Sequence, residues 1–109
     1  MSTIKDKNLA TVGQQEVDWA ARQMKVLEEI KTEFSSSKPL NGLNIGACMH
    51  VTKETANLML TLKAAGANVA LCASNPLSTK DSVAAYLSEN DIEVHAVHGV
   101  SNDDFFKHL

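Results

Sequence analysis

Three side chains that can bond or move protons occur on alternate positions where an apolar run ends. His50, Thr52 and Glu54 follow residues 43–49, which have the length and composition of a strand covered on both faces. From Thr52 onward the pattern is that of a helix beginning at a threonine cap. An imidazole exchanges a proton near neutral pH, while a hydroxyl and a carboxylate can bond the polar edge of a ligand. The sequence therefore predicts a candidate site at a strand-to-helix junction.

Polar side chains also follow two later apolar runs, residues 68–73 and 92–97. They are Ser74, Asn75, Ser78 and His98. In open parallel α/β sheets the carboxyl ends of the strands face the ligand crevice, and helix N-termini there offer free N–H groups. We therefore expect these side chains to converge with His50.

Each of these residues also has a purely structural interpretation. Thr52 as a plain helix cap, with Glu54 favoured by the helix dipole, requires no ligand. His50 follows a buried run, where a hydrogen-bonded structural histidine is as reasonable as a catalytic one. Asn75 can simply form a turn with Pro76. The residue pattern alone leaves both interpretations open.

The elements that must position these residues alternate between strand and helix, which predicts βαβ units and a parallel sheet. The expected class is α/β, a partial Rossmann-like three-layer sheet of at least three strands, preceded by a long N-terminal helix. Residues 1–13 are expected to form a tail or strap. Strands are predicted at 43–49, 68–73 and 92–97, and helices over 14–34, over 52–65, from Ser78 or Thr79 to about 90, and from about 101. Gly66 is expected to close the second of these helices in the left-handed conformation, and Ser78 or Thr79 to cap the third.

The first predicted helix carries a wide apolar stripe. Its members recur three or four residues apart: Val17, Ala20, Met24, Leu27, Ile30 and Phe34. Packing against the helix's own domain is the favoured interpretation. A subunit contact is the alternative, because so wide a stripe exceeds what a small domain needs.

Composition narrows the functional classes. The 109 residues suit one domain, and 44% hydrophobic residues can form a core without disulfides or metal. A net charge of −3 and scattered Lys and Arg argue against nucleic acid and anionic membranes as partners. Neither a membrane span nor a signal peptide is found in the sequence, so a cytoplasmic location is expected.

The two cysteines, Cys48 and Cys72, lie inside apolar runs and are expected to be buried, reduced and unbridged. Neither has zinc-ligand spacing to another Cys or His, so we expect no metal site. No Gly-x-Gly-x-x-Gly or Gly-x-x-x-x-Gly-Lys-Ser/Thr segment occurs, so no cofactor-binding residues are expected in this chain.

Two segments resemble motifs of the adenosylhomocysteinase (S-adenosyl-L-homocysteine hydrolase) family. Residues 48–56, CMHVTKETA, resemble the family's C-L-H-x-T-x-E-T-A motif, and residues 74–81, SNPLSTKD, resemble S/C-N-x-x-S-T-Q-D. Further matches occur within residues 6–10, 39–42 and 62–69, so the resemblance covers nearly the whole chain. The departures, Met49 for Leu and Lys80 for Gln, leave the polar positions unchanged.

The resemblance implies reversible cleavage of S-adenosylhomocysteine to adenosine and homocysteine. In the family a tightly bound NAD oxidises the ribose 3′-hydroxyl, which acidifies the C4′ proton and lets homocysteine leave by elimination. The resemblance implies that His50 is catalytic, handling a proton near the 5′ carbon. It implies that Thr52 and Glu54 bond adenine, and that Asn75 and Ser78 line the substrate cleft.

The resemblance also implies what residues 1–109 lack. They correspond to the N-terminal portion of a substrate-binding domain, while NAD and further catalytic residues belong to a C-terminal part that is absent. We therefore expect a fragment that is inactive alone, from an enzyme that forms homo-oligomers. The alternative is a non-catalytic truncated α/β module for adenosine binding or assembly.

Overall fold

The computed structural model describes residues 2–108, apart from the side chains of Phe105 and Phe106. Its elements in chain order are a 3-10 turn (Lys7–Leu9), α1 (Ala10–Ala21), α2 (Lys25–Ser37), β1 (Asn44–Cys48), α3 (Lys53–Ala64), β2 (Asn68–Cys72), α4 (Asp81–Glu89), β3 (Glu93–His95) and α5 (Asn102–His108). None of the described helices is long and apolar enough to span a bilayer.

The three strands form a parallel sheet in the order β1-β2-β3. Asn44 pairs with Asn68 and Cys48 with Cys72, so β1 and β2 run in register along their full length. Helix α3 connects β1 to β2, and α4 connects β2 to β3. The predicted parallel α/β fold is confirmed.

The core lies between one face of the sheet and helices α3 and α4, and α1 packs against both of these helices. Its largest fully buried side chains are Met59, Leu71, Leu87, Ile92, Val17, Val51, Val83 and Val94. At the end of α3, Gly66 has a φ of 102°, the left-handed conformation predicted for a glycine that closes this helix.

The other side of the sheet carries small residues and is called here the open face. Gly46, Cys48, Ala70 and Cys72 border a cavity there of about 480 Å³. Residues of β1 alternate between exposed and half-buried, so the prediction that this strand is covered on both faces is wrong. Among the described residues β1 pairs only with β2, which leaves it at the edge of the sheet.

The prediction for the two cysteines is half right. Both are free thiols, so the absence of a disulfide is confirmed. Cys48 is exposed and Cys72 half-buried, so the prediction that both are buried is wrong. The reason is that both side chains lie toward the cavity of the open face.

The single helix predicted over 14–34 is wrong, because α1 and α2 are separated at residues 22–24. The amides of Gln23 and Met24 bond the carbonyls three residues before them, and Met24 leaves the helical region with φ −117° and ψ 59°. Tight turns of this kind end the regular hydrogen-bond pattern of a helix. The chain therefore changes direction without a glycine or proline to indicate the break.

Helix α2 contributes less to the core than its pattern predicts. None of its residues is buried, and Val26 is 73% exposed. The spacing of the apolar stripe continues across the break between α1 and α2. Only the part of the stripe on α1 faces the core, through Val17 and Ala20.

The segment before α1 was expected to form either a tail or a strap, and it forms a strap. In this N-terminal strap, residues 2–4, the Thr3 amide donates to the Val94 carbonyl and the Ala96 amide donates to the Thr3 carbonyl, both at 2.8 Å. The expectation that irregular structure continues to residue 13 is wrong, because α1 begins at Ala10.

The predicted cap of α4 is also wrong. The residue at the cap position is Lys80, which makes no side-chain capping bond. The hydroxyl of Ser78 instead bonds within its own turn, and the side-chain oxygen of Thr79 is buried with no hydrogen-bond partner among the described residues.

Candidate functional site

The segments that follow the three strands are held together by backbone hydrogen bonds. The Val51 amide donates to the Ser78 carbonyl, and the Gly99 amide donates to the Pro76 carbonyl, each at 2.8 Å. Val51 and Thr79 also form an isolated parallel bridge. The segments after the strands therefore meet, as the topology predicted, while convergence of the side chains with His50 is shown for Ser74.

His50 lies on the surface beside Ser74. The Nδ1 atom of His50 is 3.3 Å from the Ser74 hydroxyl oxygen. Since Cys48 is in register with Cys72, both residues lie two positions beyond a paired strand end, which explains why they meet. A hydroxyl beside Nδ1 can orient the ring and leave Nε2 free to exchange a proton with a ligand.

Thr52 caps α3. Its backbone is extended, with φ −121° and ψ 171°, and its hydroxyl oxygen accepts from the Thr55 amide at 3.5 Å. The same oxygen lies 3.4 Å from the Thr55 hydroxyl. The capping interpretation of Thr52 is therefore confirmed, and it leaves a ligand-binding role untested.

Glu54 lies in the first turn of α3, where a carboxylate is favoured by the positive end of the helix dipole. It also lines a cavity of about 630 Å³ between α2 and α3, called here the α2–α3 groove. The apolar side chains lining this groove are Met24, Val26, Leu27, Ile30, Met49 and Leu58. A mainly apolar cavity of this size with one carboxylate suits a small aromatic ligand.

Sequence reasoning did not find the contribution of α2 to this groove. The only signal was the wide apolar stripe, which predicted core packing or a subunit contact. Met49 joins the groove and directly precedes His50, so the groove and the strand-end loops are adjacent along the chain.

Asn75 and Ser78 make a turn. The Asn75 side-chain oxygen accepts from the Leu77 amide at 2.9 Å, and the Ser78 hydroxyl donates to the Asn75 carbonyl at 3.0 Å. The Asn75 amide in turn donates to the Ser78 hydroxyl at 3.2 Å. The turn interpretation is confirmed, and these bonds fix the loop beside Ser74.

His98 completes the set of strand-end residues. Its Nδ1 lies 3.1 Å from the Thr79 carbonyl oxygen and is the donor of this bond, because a carbonyl can only accept. The His98 backbone amide donates to the Asp81 carboxylate at 3.0 Å. This histidine therefore ties the end of β3 to the start of α4.

The chain is similar to known proteins along nearly its whole length. The model of the S-adenosyl-L-homocysteine hydrolase family matches residues 1–109. Adenosylhomocysteinases from Saccharolobus solfataricus and Aquifex aeolicus are each 51% identical to the chain, over 106 and 107 residues. The adenosylhomocysteinase of Pyrococcus abyssi is 43% identical over 106 residues.

Each of these matches covers 97% of this chain and 25% or 26% of the relative. The chain thus spans about a quarter of the length of the curated relatives it matches. Because the family model covers every residue from 1 to 109, the chain belongs to the S-adenosyl-L-homocysteine hydrolase family.

Proposed function

We propose that this chain forms the adenosine side of the substrate site in an adenosylhomocysteinase. The reaction is the reversible hydrolysis of S-adenosyl-L-homocysteine to adenosine and L-homocysteine. The observation that carries the proposal is the position of Glu54, whose carboxylate lines an apolar groove of about 630 Å³ next to the segment bearing His50. Family membership supplies the reaction class.

Adenine matches the chemistry at the start of α3. Its amino group can donate to the Glu54 carboxylate, and its ring nitrogens can accept from the Thr52 hydroxyl. A hydroxyl has one donor and two acceptor positions, so Thr52 can accept from the Thr55 amide and donate to a base at once. The apolar side chains of Ile30, Met49 and Leu58 suit the faces of a purine.

His50 is proposed to move a proton at the 5′ position, where the thioether sulfur leaves and water enters. The imidazole is exposed beside the converged loops, and the Ser74 hydroxyl at 3.3 Å limits its rotation. General acid–base catalysis requires a group that can both accept and donate a proton and that is held in a fixed orientation. Asn75 and Ser78 are proposed to form the adjoining wall of the cleft.

The residues present do not fit NAD, the cofactor that the family resemblance implies. None of the strands is followed by the glycine-rich turn that lets a backbone approach a pyrophosphate. A different part of the protein would have to bind NAD, so residues 1–109 alone are proposed to be inactive. On this proposal they are the N-terminal portion of the substrate-binding domain. Homo-oligomerisation and a cytoplasmic location stay predictions.

A non-catalytic module for adenosine binding or assembly is the second candidate. The exposed apolar side chains of α2 favour it, because Val26 is 73% and Ile30 36% exposed. A single helix face of this kind is typical of a contact surface.

A chimaera tests the proposal: residues 1–109 replace the matching segment of the Saccharolobus solfataricus enzyme. We expect it to release homocysteine from S-adenosylhomocysteine, whereas the non-catalytic alternative predicts at most adenosine binding. His50→Asn is expected to slow release by about 10²- to 10⁴-fold, the range for a general acid or base. Adenosine affinity should change little.

Glu54→Gln separates base recognition from general stability. Losing a hydrogen bond to a charged group should weaken adenosine binding by about 1.5 to 3 kcal/mol, measured by calorimetry. Glu89→Gln, at an exposed position in α4, is the matched control and should bind normally. Equal affinities for the two variants in a folded chimaera would exclude Glu54 as an adenine ligand.

A further inference from the structure

The open face brings two thiols together outside the proposed adenosine site. Cys48 and Cys72 are direct partners in the parallel register of β1 and β2, so their side chains leave the same face of the sheet. Adjacent strands lie about 4.8 Å apart, which sets the spacing of such a pair. Both residues border the cavity of about 480 Å³.

The Cys48 thiol points toward the end of β2. It donates to the Ala73 carbonyl at 3.5 Å, which places its sulfur over the end of β2, beside Cys72. Burial and the neighbouring Cys48 thiol raise the pKa of Cys72 to about 11. Two neighbouring free thiols, one of them exposed, are a pair of ligands from which a cation can displace two protons.

His95 is the residue of β3 that lies in register with this cysteine pair, and both of its ring nitrogens already have hydrogen-bond partners. Its Nδ1 contacts the Thr3 hydroxyl at 3.1 Å and its Nε2 contacts the Glu93 carboxylate at 2.9 Å. Among the described residues, no group of three or more metal-binding side chains occurs. The arrangement therefore offers two sulfur ligands and not the four that structural zinc requires.

We infer that Cys48 and Cys72 form a binding site for a soft metal cation that accepts two thiolate ligands. Soft sulfur ligands select such cations over magnesium, calcium or manganese, which prefer oxygen. Binding forms two metal–sulfur bonds, breaks two S–H bonds and releases two protons to solvent, with no change of oxidation state. The site is independent of the proposed adenosine site.

The test is titration of the reduced 109-residue protein with mercury(II), followed by sulfur-to-metal charge-transfer absorbance. We expect one cation per chain and protection of both cysteines from iodoacetamide. Cys48→Ser or Cys72→Ser should each weaken binding by about 10²- to 10⁴-fold, the gain that linking two contacts provides. His95→Gln is the matched control and should bind like the parent protein.

Three outcomes would overturn the inference. The first is independent binding of two cations per chain, and the second is a metal-bridged dimer detected by size-exclusion chromatography. The third is a loss of mercury(II) affinity in His95→Gln as large as the loss in either serine variant. Circular dichroism checks the fold of each variant. If Cys72→Ser does not fold, Cys48→Ser decides the question, because Cys48 is exposed and serine replaces it at similar size.

Discussion

Thr52 illustrates how one side chain stabilises the start of a helix. Its hydroxyl oxygen bonds the Thr55 amide, one of the N–H groups that a helix start leaves without an intrahelical partner. Thr52→Ala should therefore lower the free energy of unfolding by about 1 kcal/mol, measured by urea denaturation. Thr52→Ser keeps the cap and serves as the control. An unchanged midpoint for Thr52→Ala would contradict the capping role.

The Cys72 thiol is predicted to react with alkylating reagents at a rate that depends on pH. Burial and Cys48 raise the pKa of its thiol from 9.0 to about 11. Only the thiolate reacts with alkylating reagents, so at pH 8 Cys72 should react about 100-fold more slowly than a thiol with the unshifted pKa. Its rate should rise about tenfold per pH unit up to about pH 11.

The measurement is mass spectrometry of the iodoacetamide-modified peptide over that pH range, with the cysteine of a short unfolded peptide as reference. A rate for Cys72 that levels off near pH 9 would show that its pKa is not raised.

Among the elements, α1 and α4 are in close contact at a glycine. A Cβ atom added to Gly13 would lie 1.9 Å from the Ser82 carbonyl oxygen and 2.9 Å from Cβ of Tyr86. Glu16, one turn further along α1, accepts from the Ser82 hydroxyl at 2.7 Å and lies 3.7 Å from the Lys80 ammonium. This contact orients α1 across the helices of the βαβ units.

Gly13→Ala should therefore destabilise the protein although alanine is the better helix former. Over-filling a packed contact costs about 1 to 3 kcal/mol, whereas at an exposed helix position the same change stabilises by roughly 1 kcal/mol. Gln14→Ala, at the exposed neighbouring position, is the control. Urea denaturation measures both. A gain in stability for Gly13→Ala would show that α1 and α4 pack less closely.

At the scale of the whole molecule, the N-terminal strap closes the β3 edge of the sheet. Two backbone hydrogen bonds join Thr3 to Val94 and Ala96, and the Ser2 hydroxyl accepts from the Val94 amide at 2.9 Å. Deleting residues 1–4 should lower the free energy of unfolding by about 2 kcal/mol, at roughly 1 kcal/mol for each backbone bond.

Hydrogen exchange locates this effect. After the deletion, the amides of Val94 and Ala96 should exchange faster, while those of the central strand β2 change only as far as global stability does. Equal acceleration throughout the sheet would mean that the strap stabilises the fold as a whole and does not specifically protect β3.

The sequence by itself determined the features that depend on local pattern. Alternating apolar runs and helical periodicities predicted the three parallel strands and α3. Local chemistry predicted the Thr52 cap, the left-handed Gly66 and the Asn75 turn, because each depends only on residues close in the chain. The polar residues at the strand ends were predicted to converge for a topological reason that holds for any parallel sheet.

Only the tertiary structure decided which apolar surfaces are covered. The exposure of Cys48 depends on the open face of the sheet, and the half-exposed stripe of α2 depends on the change of direction at residues 22–24. The groove that Glu54 lines requires α2 to lie beside α3. Local pattern fixes which residues can be buried, but burial itself requires a partner surface, and that partner comes from residues distant in sequence.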